Sequence, residues 1–275
     1  MNARTSRLGF RTPYYVLTAG LAIVFLYPLI WTTVSSVSPQ AGSAQVEGLG
    51  FNNYATLASY QAGLPHYLGN SLAISLVTVA VTLLAATFGG YAFARFSFPG
   101  KNALFLVTLS ILMVPYATLL IPLTIWLKML GLNNTLVGVG LVLAVFQLPF
   151  ATFMMRISFE GVPKEIEEAA KMDGCGSFGA LRRVLVHAVK PGLITIGLFA
   201  FLAAWNDFMV PLFLVGGENQ PLPLALVNMR QQVMGVIDYG STQAGVVVLT
   251  IPCVLLFLLL QRHYVNGFMS GALKG

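Results

Sequence analysis

Four of the nine acidic residues and five of the fifteen basic residues fall in one stretch, Pro163 to Pro191, which reads PKEIEEAAKMDGCGSFGALRRVLVHAVKP. Their order is that of a short helix. Pro163 suits a first helical turn, Glu165, Glu167 and Glu168 place negative charge at the positive end of the dipole, and Gly174 supplies a C-terminal stop. Lys164 with Glu168 and Glu167 with Lys171 are spaced i,i+4, an arrangement that supports the exposed side by about 0.2–0.5 kcal/mol per pair. Ile166, Ala169, Ala170 and Met172 leave the remaining surface small and apolar, so such a helix can sit in a cleft. Ser177 is placed to cap a second helix in which Phe178, Leu181 and Leu185 recur at helical spacing, Arg182 and Arg183 point elsewhere, and Pro191 ends the run.

The other groups with reactive side chains are isolated. Asp207, in AWNDF, is the one acid within an apolar run, and an acid in that setting ordinarily faces a protein interior or a water-filled route. The alternative is that Asn206 and Asp207 cap or brace their helix against a neighbour. Gln147 and Pro149 offer either a pathway lining or a kink with a satisfied amide. His66, His187 and His263 are scattered, Cys175 and Cys253 have no metal-ligand company, and there is neither a GxxxxGK[ST] loop nor a catalytically spaced carboxylate pair. The expectation is a chain without catalytic, metal or nucleotide site, drawing its energy from another chain.

The elements that must hold these groups are apolar. Hydrophobic residues make up 57% and charged residues 9%, against about a quarter charged in a soluble domain, so the sequence predicts an all-α integral membrane protein. At ~1.5 Å per residue, a ~30 Å hydrocarbon core needs about 20 apolar residues. Six segments qualify: Tyr14 to Val37, Asn70 to Ala94, Ala103 to Leu127 kinked by Pro115 and Pro122, Leu136 to Met155 broken near its end by Pro149, Gly192 to Val215, and a marginal Ala244 to Leu260. A cleaved leader is the rival for the first, with Arg4, Arg7 and Arg11 ahead of it and Gly42, Ser43 and Ala44 behind, but its apolar core exceeds the usual 7–15 or so residues. Thirteen Lys and Arg lie in the start, the turn after the second span, the Arg156 to Lys190 region and the tail, whereas only Lys128 and Arg230 lie in the alternate segments. By the positive-inside rule both termini and the acidic helix are cytoplasmic. The net charge of +6 then reflects topology, and no nucleic-acid partner is expected.

The acidic stretch resembles a known loop. Glu168, Ala169 and Ala170, Gly174 after three intervening residues, and Val184 and Val186 after nine more match the EAA loop in the membrane subunits of ABC importers. One position departs, since His187 stands where the family closes the motif with proline. The AWNDF run and the ending QRHYVNGFMSGALKG are similar to the maltose-type carbohydrate branch. The resemblance implies a coupling-helix loop between helices 4 and 5, with Glu165, Glu168, Ala169, Ala170, Asp173 and Gly174 meeting a groove on an ATPase subunit. It further implies a second permease subunit, two ATPase subunits carrying ATP and Mg, an extracytoplasmic solute-binding protein touching the Gly216 to Gln243 loop, membrane lipid around the spans, and alternating access in a bacterial or archaeal cytoplasmic membrane. The expected organisation is 1–69 as start, first helix and external loop, 70–262 as permease core, and 263–275 as tail. Importers of glycerol-phosphate compounds, peptides or metals, and secondary transporters, are the alternatives. The first and third would leave different traces: charged residues within the spans for an ionic solute, and inverted repeats or ion-coupling charges for a secondary transporter.

Overall fold

The apolar runs close into helices because a chain in lipid must satisfy every backbone N–H and C=O internally. A computed structural model describes residues 3–39, 49–232 and 239–272, and no strand occurs among them. Gly42, Ser43, Ala44 and Gly48 lie outside the described residues. Among the described residues, four helices are long and apolar enough to cross a membrane, or up to six if each of two bent pairs counts as one span.

The described chain divides into two units, each taken by itself: Met1–Leu64 with Leu226–Thr250, and Pro65–Ala225 with Ile251–Gly275. In the first, α1 (Ala3–Val37) contains the apolar run Pro13–Val37, exposed from Pro13 to Trp31 and buried at Ser36. Its hydroxyls fold back on the helix, Thr18 onto the Tyr14 carbonyl and Thr33 onto that of Leu29, both at 2.8 Å. The short α2 (Asn52–Ala58) closes the end of α1: the Asn53 amide donates to the carbonyls of Ser36 and Ser38, both at 2.9 Å, covering acceptors a helix end leaves unpaired.

The second unit is organised by α3 (Leu64–Arg95) and α6 (Leu136–Glu160). Small residues let them approach closely. A Cβ on Gly140 would lie 2.7 Å from Val77, a Cβ on Gly90 would collide with Met155, and the Thr78 hydroxyl reaches the Gly140 carbonyl at 3.1 Å. The α6 helix runs through both apolar cores, Val139, Val142 and Leu143 packing with Ile74, Leu120 and Val210, and Ala151, Met155 and Phe159 packing with Tyr91, Leu181 and Leu185.

Several expectations change. The third span does not kink but breaks: α4 (Lys101–Ser110) runs into a 3-10 turn at Ile111–Met113, Val114 is extended, and α5 (Tyr116–Met129) leaves at 105°. Pro115 lacks a donor and restricts Val114 to extended backbone, while Pro122 stays inside α5. Pro149, by contrast, does not break the fourth span, for α6 is continuous through it to Glu160. The fifth span is interrupted: α10 (Lys190–Asn206) ends at an extended Asp207, and α11 (Met209–Leu214) follows. The sixth lies in a longer helix, α13 (Tyr239–Ala272), preceded by α12 (Leu222–Gln232) in what reads as a loop.

Candidate functional site

The acidic segment folds as α7 (Lys164–Met172), with Pro163 just outside its first turn and Glu165 and Glu167 within that turn. Gly174 does end it. With φ of +86°, it donates to the Lys171 carbonyl while Cys175 donates to that of Ala170, both at 3.0 Å, the double bond of a Schellman turn.

The chain then runs through α8 (Ser177–Ala180), a π-helical turn at Leu181–Leu185 and α9 (Val186–Ala188) before α10 departs at 78°. Ser177 is the first helical residue and its side chain caps nothing, a role displaced by Gly176 in the N-cap position. Leu181 and Leu185 are buried, but Phe178 is exposed and stacks on Phe88. Pro191 opens α10 rather than closing the segment before it, since at its first turn the missing N–H has no carbonyl to lose.

The acids separate by function of position. Glu165, Glu168 and Asp173 are exposed, with Ile166, Ala169 and Met172 beside them, whereas Glu167 and Ala170 turn inward. Glu167 therefore does not support an exposed side. Its carboxylate accepts from the Tyr91 hydroxyl and from the Lys171 ammonium, each at 2.8 Å, and lies 3.3 Å from Nε of Arg95. Arg95 also donates through Nη2 to the Val162 carbonyl at 2.7 Å, at the turn that feeds α7. Burial by itself would push the Glu167 carboxyl up. Hydrogen bonds from Lys171 and Tyr91, with the charges of Lys171 and Arg95, outweigh it and hold the group below the ordinary glutamate range. The Lys164–Glu168 pair is not formed among the described residues, and the other ion pair, Arg156 with Glu160 at 2.8 Å, lies at the end of α6.

Ala170 is only 7% exposed, so the small outward face of α7 contains Ala169 and not Ala170. Sequence reasoning counted Arg95 for topology alone and missed Tyr91 altogether. The available signal was an arginine i,i+4 from a tyrosine at the end of an apolar helix, because a charge that leaves water needs a partner. Which acid answers it, 72 positions on, is a matter of folding.

The second group sits where α10 stops. Asp207 accepts from the Val210 amide at 2.8 Å, covering a free donor in the first turn of α11, and Asn206 donates to the Leu202 carbonyl at 2.8 Å with Cys253 Sγ at 3.7 Å. Gln147 is half-buried on α6 and hydrogen-bonds to neither. The described residues contain no cluster of three or more His, Cys, Asp or Glu able to hold a metal.

Residues 83–268 match the family described as the inner membrane component of binding-protein-dependent transport systems. The chain is 33% identical to the trehalose transport system permease protein SugB of Mycobacterium tuberculosis, over 96% of this chain and 98% of that one. It is 30% identical to the galactooligosaccharides transport system permease protein GanQ of Bacillus subtilis, over 95% and 94%. Its fold is that of a chain in a bacterial ABC transporter involved in import of the acidic polysaccharide alginate, with a TM-score of 0.75, 22% identity, and 95% and 98% of the two chains covered.

Proposed function

The chain belongs to the family of binding-protein-dependent transport system inner membrane components, and we propose that it is one of two permease subunits of an ATP-driven importer for a sugar or sugar-like solute. The observation that carries this reading is α7: an acid-first helix closed by a Schellman turn, anchored inward by Glu167 and presenting Glu165, Ile166, Glu168, Ala169 and Asp173 outward. Such a face is free to enter a groove on an ATPase subunit, and nothing in it needs to be pulled from the chain's own core. ATP with Mg sits on two such subunits, both termini and α7 face the cytoplasm, and each bent pair makes one span, giving six. Closure of the ATPases shifts α7, the spans rock, and a solute handed over by an extracytoplasmic binding protein passes between the two permeases.

Relatives named for trehalose and galactooligosaccharide transport support a neutral saccharide. So does the lack of Lys and Arg in the interior of the six expected spans, which argues against a glycerol-phosphate-type solute.

Reconstitution with the cognate permease, ATPases and binding protein tests the reading. The expected result is ATP-dependent uptake of trehalose or a short oligosaccharide that glycerol 3-phosphate does not inhibit. Uptake that follows an ion gradient without the ATPases would overturn it.

A further inference from the structure

We propose that α3 is a rigid strut carrying the position of α7 to the Glu218–Leu222 segment at the helix's far end, so that nucleotide state on one side is read on the other. The inference rests on α7 being the ATPase contact. Both ends of α3 are tied by side chains to segments far away in sequence. At the Arg95 end, Tyr91 and Arg95 grip Glu167 of α7, and Arg95 holds the Val162 carbonyl.

At the Leu64 end, His66 Nε2 lies 2.7 Å from the Glu218 carbonyl and so carries the proton it donates. Asn70 donates to the same carbonyl at 2.7 Å and to that of Gln220 at 2.9 Å, and the Ser71 hydroxyl accepts from the Leu222 amide at 2.8 Å. All four bonds run from α3 side chains to backbone atoms of one segment. They fix its path whatever its own side chains are. Asn70 and Ser71 are buried, as Arg95 and Glu167 are.

Between these ties the helix has nothing to absorb a displacement. It is 32 residues long with no break and, past Pro65 in its first turn, no proline, about 48 Å at ~1.5 Å per residue. Gly90 and Gly140 bring it against α6, and Thr78 bonds across to the Gly140 carbonyl. The covalent route from α7 to Glu218 is different. It passes the π-helical turn, the 78° bend before α10 and the extended Asp207, each a place where backbone dihedrals take up motion.

The test uses the full complex of both permeases with their ATPases in nanodiscs, with Cys175→Ser and Cys253→Ser to remove native thiols and Glu218→Cys as the reporter. The Glu218 side chain is exposed, and its backbone carbonyl, which makes the bonds, is retained. The rate of labelling by an impermeant maleimide is compared between nucleotide-free protein and protein trapped with ATP and vanadate. The expected ratio is about fivefold, the low end of ordinary allosteric coupling. Glu167→Gln and Asn70→Ala should each bring it close to one while the ATPases remain bound, and the double variant should do no more than either single one. Asn70 lies at the end of α3 remote from the docking face, so its result decides even where Glu167→Gln weakens assembly. A wild-type ratio of one, or Asn70→Ala with the wild-type ratio, overturns the strut. Failure of the wild-type chain to retain ATPases overturns the proposed function instead, and the strut with it.

Discussion

Arg95 and Glu167 have side chains only 6% and 7% exposed; deleting Arg95 leaves Glu167 its Lys171 and Tyr91 partners, whereas deleting Glu167 leaves Arg95 buried without a counter-charge, at a cost of roughly 3–5 kcal/mol. Glu167→Leu should therefore lower the thermal unfolding midpoint of the purified protein well beyond a substitution at exposed Arg182, and an unchanged midpoint would refute the buried pair. The same group sets a pH dependence. Because the Glu167 carboxyl is held below its ordinary range, its contribution is fully present above about pH 4.3, the unperturbed value, and is lost as pH falls through the depressed one. The stability gap between wild type and Glu167→Gln should accordingly shrink on the acid side in pH-dependent unfolding. Gly174 is a different case, with open space where a Cβ would go but a φ of +86°. Gly174→Ala should cost about 1–2 kcal/mol through the left-handed backbone alone, and Gly174→Val more, both read as reduced uptake by protein that still inserts.

The α7 helix separates two effects that its sequence runs together. Ala169 faces out and Ala170 faces in. Ala169→Trp should abolish ATPase co-purification with little change in thermal stability, whereas Ala170→Trp should destabilise the chain itself by overpacking, on the order of 1–3 kcal/mol. Equal behaviour of the two in both assays would dismiss the outward docking face. At the break between α10 and α11, Asp207 acts through one oxygen on the Val210 amide, and an asparagine oxygen can accept the same bond. Asp207→Asn should thus keep transport and its independence of ion gradients, while Asp207→Ala loses about 1 kcal/mol of capping. An ion-driven component lost in Asp207→Asn would instead mark a relay.

Across the whole molecule, topology follows from where the basic residues lie, thirteen against two, since moving a charged loop across the bilayer is what the positive-inside bias opposes. Single cysteines at Ser177 and at Gln61, in the Cys175→Ser, Cys253→Ser background, should be labelled oppositely in sealed right-side-out vesicles: Gln61 reached by an impermeant reagent, Ser177 shielded. The reverse pattern would place α7 outside and remove any contact with cytoplasmic ATPases. The exposed stretch of α1 from Pro13 to Trp31 is, at this scale, a surface for lipid.

Composition with the length of the apolar runs determined that this is a helical membrane protein, because a continuous run of about 20 apolar residues crossing lipid pairs its own backbone as a helix, whereas a barrel strand needs only about 9–11. Local chemistry determined α7 as well, from Glu165 at its start to Gly174 at its end, since dipole and left-handed turn act within a few residues. Pro115 and Pro149 show where that legibility stops. Both remove a donor, yet one marks a 105° break and the other lies within a continuous helix, a difference set by what packs around each freed carbonyl. The direction in which Glu167 points was likewise beyond the sequence. An i,i+4 pairing with Lys171 is compatible with either face of α7, and only the arrival of Tyr91 and Arg95 from α3 offers the carboxylate partners enough to leave water.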